Sequence, residues 1–344
     1  MKKILLIGLG SIGQRHLRNL HFLNKKFKFL AYRRKKTVPT LDDNLKPIKN
    51  VDLKSLYNLK VSNSLKYLID QKPYAAFICS PTSFHIEEAI ICIKNNINVF
   101  IEKPLGSSAK KLSELKKVLT HKKKDKIQTM MGFQIKFNPL YNYLRKYLAK
   151  NKNKKIRRVE IFNGESIKDF HKYEDYRISY AARKKLGGGV LLTQIHEIDY
   201  FLDLFKNYRI KILSSKLFKK SNLKIDVEDT FDANLEIENH LGKSHANIHL
   251  DFYTKPKKKF IKIFFEDKHN IVCDFSKKKF IIKKRKKYIK KFNFKNNDPF
   301  KQEVKFFLNS IKKNHFIKDR FNIYNGIKTL EFCLKLKRLN KYSF

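Results

Sequence analysis

Three glycines near the start of the chain constrain its fold more than any other feature. Gly8, Gly10 and Gly13 follow an apolar run that begins at Ile4, and an amphipathic segment follows them. In a strand, turn and helix with this spacing, the first glycine makes the tight turn, the second lets the backbone approach a ligand, and the third allows close packing of helix on strand. The helix N-terminus then offers N–H groups to phosphates. The sequence therefore predicts a dinucleotide-binding unit in which the loop residues Gly8, Leu9, Gly10, Ser11, Ile12 and Gly13 contact the cofactor.

The first 130 residues alternate short apolar strands with amphipathic helices, which is typical of a doubly wound parallel sheet. The predicted strands are Ile4 to Gly8, Phe27 to Tyr32, Tyr74 to Cys79, Val99 to Glu102 and Ile127 to Gly132. The predicted helices are Gly13 to Leu23, Ser64 to Asp70, His85 to Asn95 and Ala109 to His121. We therefore expect an α/β Rossmann domain over residues 1–130.

Residues 131–344 follow a different pattern, which predicts a second domain for substrate binding and oligomerisation. Successive strands without intervening helices indicate an α+β domain with a large, mostly antiparallel, open sheet. A helix at Leu140 to Ala149 and a strand at Arg158 to Phe162 come first, followed by an irregular stretch and a long helix from Gly189 to Phe205. The predicted strands are Ile210 to Leu217, Thr230 to Ile237, His245 to Phe252, Phe260 to Glu266, Asn270 to Phe275 and Lys279 to Ile282, and the final helices, Asp298 to Lys312 and Asn325 to Leu339, are expected to pack back on the body.

The formal net charge of +47 does not by itself indicate a nucleic-acid partner. The positive charge is mostly lysine spread along the whole chain beside abundant Asn, Ile and Phe, a pattern typical of codon bias toward A and T. Arginine, which suits bidentate phosphate contacts, is scarce. We therefore do not expect nucleic acid as a partner.

The cysteines and the apolar runs point to the cytoplasm. Cys79, Cys92, Cys273 and Cys333 form no closely spaced pair, so they predict neither a metal site nor a disulfide framework. The apolar run at the N-terminus breaks at Gly8 and reads as a strand rather than a signal peptide. Since no run approaches the roughly 20 apolar residues of a membrane span, we expect none.

The end of the second predicted strand bears on the choice of cofactor. An acidic residue would grip the ribose hydroxyls of NAD about twenty residues after the glycine loop. Here the strand ends in Arg33 and Arg34 instead. Two guanidinium groups can hold a 2′-phosphate, so the pattern favours NADP over NAD, while leaving open that both arginines are simply solvated.

Two further strand ends contribute polar residues to the same edge of the sheet, where ligands of doubly wound folds bind. Ser80, Pro81, Thr82 and His85 follow the third predicted strand, although Thr82 can serve equally as a helix N-cap. Glu102 and Lys103 stand at the end of the fourth, before Pro104. A lysine at this edge can reach both the nicotinamide and a substrate.

These motifs together resemble the Gfo/Idh/MocA family, named for glucose-fructose oxidoreductase and inositol dehydrogenase. The resemblance rests on GLGSIGQRH at 8–16, PTSFH at 81–85, EKP at 102–104 and GFQIKFNP at 132–139, and it extends in order over nearly the whole chain. It implies a Rossmann domain followed by an α/β domain with an open sheet, and a homo-oligomer, either dimer or tetramer. It also implies a sugar-type substrate and places Gln134 among the substrate-binding residues.

The resemblance also gives a meaning to the sequence that follows Gly187, Gly188 and Gly189. Family members carry a glycine-rich turn and then a helix that presents an acid and a histidine to the substrate. His196 matches the histidine and is the expected acid/base partner of Lys103, while Thr193 and Asp199 are expected to bind substrate. The chain departs from the pattern at the acid itself, because Leu192 and Thr193 occupy the places where it is expected. A threonine can hydrogen-bond a hydroxyl but cannot act as a carboxylate.

Two functions remain open from the sequence. The first is NAD(P)-dependent oxidation or reduction of a secondary hydroxyl or keto group on a sugar, nucleotide sugar or cyclitol, in surface-polysaccharide or unusual-sugar biosynthesis. The alternative is a non-catalytic dinucleotide sensor on the same fold, which the missing acid favours and which Lys103 with His196 disfavours. The catalytic assignment rests on Lys103 and His196.

Overall fold

A computed structural model describes residues 1–34, 39–122, 127–318 and 320–339. It contains two β-sheets, one of six strands and one of eight. The predicted fold class, a parallel Rossmann sheet followed by a large and mostly antiparallel sheet, is confirmed.

The first sheet is parallel, with the strand order β3-β2-β1-β4-β5-β6. Its central strand β1 has four consecutive fully buried residues, Ile4 to Ile7, as expected for a strand covered by helices on both faces. The strands are β1 (Lys3–Ile7), β2 (Lys28–Tyr32), β3 (Leu59–Ser62), β4 (Ala75–Ile78), β5 (Asn98–Glu102) and β6 (Thr129–Gly132). The helices are α1 (Ser11–Leu23), α2 (Leu53–Tyr57), α3 (Leu65–Asp70), α4 (His85–Lys94) and α5 (Leu112–His121).

The second sheet has the order β14-β13-β12-β11-β7-β10-β9-β8 and is antiparallel except where β7 pairs with β10. One face is apolar, with Ile161 of β7 paired to Ile248 of β10, and it packs against helices. Its strands are β7 (Ile156–Gly164), β8 (Arg209–Phe218), β9 (Thr230–Asn239), β10 (Gly242–Asp251), β11 (Lys258–Phe265), β12 (Asn270–Asp274), β13 (Lys279–Lys283) and β14 (Lys287–Lys291). The helices α6 (Pro139–Lys150), α7 (Val190–Thr193) and α8 (His196–Leu204) lie between the first sheet and β8 in sequence.

The last two helices, α9 (Asp298–Lys312) and α10 (Ile323–Arg338), return to the first sheet. Phe307 of α9 packs edge-on against Phe77 of β4, with ring centroids 5.6 Å apart. The N–H of Met131 donates to the carbonyl oxygen of Phe321, just before α10. The chain end therefore ties the second half of the sequence to the first sheet.

Several sequence predictions are wrong in detail. The helix predicted from Gly189 to Phe205 is broken between α7 and α8, because the Gln194 amide donates to the backbone oxygen of Asp251 and draws the chain toward the second sheet. Helix α1 begins at Ser11 rather than at Gly13. The elements α2, β3 and β14 were not predicted, since β3 and α2 have only four and five residues and β14 is exposed along its whole length.

Candidate dinucleotide and substrate site

The glycine loop has the geometry that its spacing predicts. Gly8 adopts a φ of +98°, and a Cβ added there would lie 2.7 Å from the carbonyl oxygen of Cys79. A Cβ at Gly13 would lie 2.2 Å from the carbonyl oxygen of Gly8. Both positions therefore exclude a side chain for reasons internal to the protein.

Gly10 differs from the other two glycines because nothing lies within 4 Å of the position its Cβ would take. Gly10 is also the N-cap of α1, and no side chain caps the helix. The open space and the free N–H groups face the same edge, where the helix dipole favours an anion. This cradle fits the pyrophosphate of a dinucleotide.

Arg34 lies beside this cradle and is held by α4 and the segment before it. Its guanidinium lies 3.7 Å from the ring centroid of Phe84 and pairs at 3.0 Å with the buried carboxylate of Glu88. Ser80 donates a hydrogen bond to the same carboxylate. Burial raises the pKa of Glu88 to about 7, opposed by the hydrogen bond from Ser80 and the charge of Arg34. Arg33 follows β2 with its N–H bonded to the Ser62 carbonyl oxygen.

The segment after β4 contains Pro81, Thr82 and His85, and it connects the ends of β4 and β5. His85 is buried, and its ring nitrogens lie 2.7 Å from the carbonyl oxygens of Ser80 and Pro104. Thr82 is also buried, in a short 3₁₀ helix that leads into α4. His85 therefore fixes the two strand ends that line the cradle, and its imidazole does not itself face a ligand.

Glu102 is likewise a supporting residue. Its carboxylate lies 2.6 Å from His16 of α1 and near Glu303 of α9, and polar atoms of these three buried side chains lie within 4.8 Å of one another. The second oxygen of Glu102 accepts the N–H of Lys103 at 3.2 Å. The cluster thus fixes the turn on which Lys103 stands.

Lys103 joins the two halves of the site. Its ammonium donates to the carbonyl oxygen of Thr193 at 2.9 Å, although ninety residues separate them. Burial lowers the pKa of Lys103, and the nearby carboxylates of Glu102, Glu197 and Glu165 oppose that shift. The lysine therefore reaches from the first sheet to the last residue of α7, three residues before His196.

His196 is buried and its two ring nitrogens have no hydrogen-bond partner among the described residues. Burial lowers its pKa well below the ordinary value, and the positive charges of Lys103 and Lys259 lower it further. The imidazole is consequently neutral near pH 7, the form in which a histidine can accept a proton.

Two other polar groups of the site also lack protein partners in the described part of the chain. The hydroxyl of Thr193 and the amide oxygen of Gln134 are buried without a hydrogen bond. Phe133, next to Gln134, packs edge-on against His196 with ring centroids 5.9 Å apart. Unpaired buried polar groups are costly, so these atoms are suited to a polar ligand.

Asp199, predicted to bind substrate, has a different environment. Its side chain is fully buried, pairs with the Lys136 ammonium at 2.9 Å and accepts a hydrogen bond from Asn325 at 2.6 Å. Burial raises its pKa, while Lys136 and Asn325 oppose the rise. These contacts use Asp199 to hold α8 against α10 and the segment after β6, so we do not assign it a substrate contact.

Sequence reasoning missed several residues that the structure brings to the site. Tyr180 lies near Glu102, and burial together with that carboxylate raises its pKa to about 12. Lys257 and Glu165 pair at 2.6 Å, and both influence the pKa of Lys103. His171 contacts Ser11. Tyr180 lies in a short 3₁₀ helix and the other three lie in irregular segments, and none of these segments shows hydrophobic periodicity. Lys257 is also one of many lysines in the chain, so its residue type did not single it out.

The phosphate cradle, the paired strand ends and the polar groups of α7 and α8 form a site that fits a dinucleotide beside a second, polar ligand. The predicted resemblance to the Gfo/Idh/MocA family is confirmed over the first domain: the family model, described as an oxidoreductase family with an NAD-binding Rossmann fold, matches residues 2–133.

Known proteins resemble the chain in part or in whole. Trans-1,2-dihydrobenzene-1,2-diol dehydrogenase of Xenopus tropicalis is 31% identical over 108 residues, which are 31% of this chain and 29% of that protein. A UDP-N-acetylglucosamine 3-dehydrogenase of Acidithiobacillus ferrooxidans superposes with a TM-score of 0.73 at 16% identity, covering 98% of this chain and 97% of the other. Scyllo-inositol dehydrogenase of Lactobacillus casei, with bound NAD(H) and scyllo-inositol, gives 0.74 at 18% identity, covering 99% and 97%. At these identities the two structures establish the fold.

Proposed function

We propose that this protein transfers a hydride between a nicotinamide cofactor and a secondary hydroxyl or keto group of a sugar, nucleotide sugar or cyclitol. The observation that carries the proposal is the 2.9 Å contact between the Lys103 ammonium and the Thr193 carbonyl oxygen. It places a cationic donor from the first sheet at the start of the segment that bears the neutral His196. The open cradle at Gly10 supports a dinucleotide beside them.

A nicotinamide dinucleotide with its pyrophosphate in this cradle would supply the hydride acceptor for oxidation or the donor for reduction. In the oxidising direction, His196 accepts the proton of the reacting hydroxyl. Lys103 donates a hydrogen bond to the same oxygen and stabilises the negative charge that develops on it. In the reducing direction the proton returns from His196 to the carbonyl oxygen. The unpaired Thr193 hydroxyl and Gln134 amide oxygen orient neighbouring hydroxyls of the substrate.

A carbohydrate substrate is supported by the polar groups around His196. The positive charges of Lys103 and Lys257 act on its imidazole. Thr193, with its unpaired hydroxyl, ends the helix just before it, and Gln134, with its unpaired amide oxygen, follows the Phe133 ring that packs on it. Two structural neighbours act on a UDP-sugar and on an inositol, as their names state. We therefore propose a sugar or cyclitol as the substrate, and unusual-sugar or surface-polysaccharide biosynthesis as its setting.

For the cofactor, NADP remains our preferred choice over NAD. Arg34 is stacked on Phe84 and its side chain is 41% exposed, which supports a contact between its guanidinium and a 2′-phosphate. Glu88 opposes this choice whenever it is ionised, because it then neutralises the same guanidinium. The balance between the two cofactors is expected to depend on pH for this reason.

We also propose a homo-oligomer in the cytoplasm. The outer face of the second sheet carries the stacked rings of Phe162 and Phe260, 5.4 Å apart, and both remain partly exposed. Partly exposed aromatic groups on a sheet face favour association. The four cysteines are free and buried, which fits a reducing compartment. No helix in the described ranges is both long and apolar enough to cross a membrane.

The experiment that tests the function is a turnover assay with a panel of free sugars, nucleotide sugars and inositols, each with NAD⁺ and NADP⁺. We expect at least one to be oxidised, and Lys103→Met to lower that rate by about 100-fold or more. Lys110→Met, at an exposed position, serves as the matched control. Binding of the cofactor without turnover of any candidate would overturn the proposal.

A further inference from the structure

The irregular stretch between β7 and α7 lies against the glycine loop. Nε2 of His171 lies 3.1 Å from Oγ of Ser11, the first residue of α1. Ser11 is also a hydrogen-bond partner of Tyr173. Residues of the second predicted domain thus contact the helix turn that faces the phosphate cradle.

His171 is oriented from behind by a carboxylate. Its Nδ1 lies 2.8 Å from Oε1 of Glu174, and both side chains are mostly buried, at 18% and 29% exposure. With Nδ1 donating to Glu174, Nε2 is the nitrogen directed at Ser11. A carboxylate behind an imidazole fixes the orientation of its ring.

The stretch is also anchored at both ends. The N–H of Ile167 donates to the carbonyl oxygen of Phe252 at 2.9 Å. At the other end, Gly187 packs so tightly that an added Cβ would lie 2.9 Å from Cβ of Thr82 and 2.8 Å from Cβ of Ser107. Because both ends are fixed, His171 is held above the glycine loop rather than on a freely moving tether.

We propose that His171, held by Glu174, is a cofactor-binding residue that the second half of the chain contributes to the pyrophosphate site. The free N–H groups of α1 hold the pyrophosphate from one side. From the other side His171 binds it with both ring nitrogens protonated, so that Nδ1 donates to Glu174 and Nε2, together with the Tyr173 hydroxyl, donates to phosphate oxygens. Ser11 lies between them and turns its hydroxyl from His171 to a phosphate oxygen. The cofactor therefore joins the two halves of the molecule. This inference rests on the proposed function only in requiring the dinucleotide site.

The test measures binding and not turnover, so that it is independent of any substrate. Dissociation constants of NADH, ADP-ribose and adenosine are determined by calorimetry for the wild-type protein, His171→Ala, His171→Gln and the control His240→Ala, whose histidine is exposed in the turn after β9. We expect His171→Ala to weaken NADH and ADP-ribose alike by about tenfold, the loss typical of one hydrogen bond to a charged group. Adenosine, which has no pyrophosphate, and His240→Ala should show no change.

His171→Gln keeps a side-chain N–H near the position of Nε2 and is expected to recover part of the lost affinity, which guards against misreading a folding defect. Unchanged binding of ADP-ribose in His171→Ala would overturn the proposal. An equal loss for adenosine would also overturn it, since the histidine would then support the fold and not the pyrophosphate. Failure to find a substrate would not affect these outcomes, because the experiment measures only the binding of cofactor fragments.

Discussion

The ammonium of Lys103 and the carbonyl oxygen of Thr193, 2.9 Å apart, connect the edge of the parallel sheet to the segment that carries His196. Neither half of the chain holds the site alone, because the first supplies the phosphate cradle and the lysine, and the second supplies the neutral histidine. The contact therefore explains why the proposed chemistry requires both halves in one arrangement.

The three glycines of the loop are expected to respond differently to the same substitution. Gly10→Ala should fold normally, since its Cβ meets nothing within 4 Å, but should weaken NADH binding by about tenfold or more. Gly13→Ala places a Cβ 2.2 Å from the Gly8 oxygen and should lower the free energy of unfolding by about 1–3 kcal/mol. Urea unfolding and NADH titration of both variants distinguish the two effects. Equal losses of stability would contradict the separate role of Gly10.

Cofactor choice is expected to depend on Glu88. With a pKa of about 7, Glu88 is largely ionised at pH 8 and neutralises Arg34, and it is largely protonated at pH 6. Glu88→Gln should therefore improve NADPH binding relative to NADH by about tenfold at pH 8, and by less at pH 6. Glu87→Gln on the same helix, whose carboxylate pairs instead with Lys111 at 2.7 Å, is the matched control. An unchanged NADPH to NADH ratio at pH 8 would show that Arg34 does not meet the 2′-phosphate.

The buried pair of Lys136 and Asp199 is expected to be important for stability. Asp199→Asn leaves the Lys136 charge buried without its counterion, which typically costs about 3–5 kcal/mol of unfolding free energy. The control is Asp70→Asn, because Asp70 pairs with Lys66 at 3.8 Å on an exposed helix face and such pairs contribute about 0–1 kcal/mol. Chemical denaturation measures both. If Asp199→Asn cost no more than the control, the anchoring role would be wrong.

Glu303 is expected to make stability depend on pH. Burial and the neighbouring Glu102 raise the pKa of Glu303 well above its ordinary value. A carboxyl group with a raised folded-state pKa contributes stability that is fully present below its unfolded pKa and is lost as pH rises toward the folded one. Wild-type stability should therefore fall relative to Glu303→Gln between pH 5 and pH 8.

The exposed Glu331→Gln, which removes a partner of Lys116, controls for the loss of a surface carboxylate in the pH experiment on Glu303. Parallel pH curves for wild type and Glu303→Gln would contradict a protonated Glu303. Loss of stability in EDTA would also contradict it, because a divalent cation on His16, Glu102 and Glu303 would then neutralise the carboxylates.

The sequence predicted those parts of the fold that depend on local patterns. The spacing of Gly8, Gly10 and Gly13 specified a turn whose steric reasons the structure supplies. The buried strands of the first sheet were predicted by their apolar runs, whereas β3 and α2 were missed because each is too short to show a period. The break before α8 depends on a hydrogen bond from Gln194 to Asp251, which are far apart in sequence.

The residues of the site show the same difference between features set by local sequence patterns and features set by long-range contacts. Lys103 and His196 were predicted from motifs, and their roles stay proposals. The burial of Asp199 could not be predicted, because its partners Lys136 and Asn325 come from distant segments. Likewise the contact of Glu88 with Arg34 could not be predicted, because the sequence shows Glu88 only as an acidic residue of an amphipathic helix. Long-range pairing, rather than residue type, determines whether a polar residue can contact a ligand or is buried against protein partners.

The most direct test of hydride transfer assisted by Lys103 and His196 is an isotope-transfer experiment. The protein is incubated with nicotinamide cofactor deuterated at C4 and a panel of keto-sugars and keto-inositols, and the products are analysed by mass spectrometry. We predict deuterium at the carbinol carbon of at least one product, with the rate lowered about 100-fold to 10,000-fold in His196→Asn and in Lys103→Met. Absence of label in every product, or wild-type rates in both variants, would contradict the account.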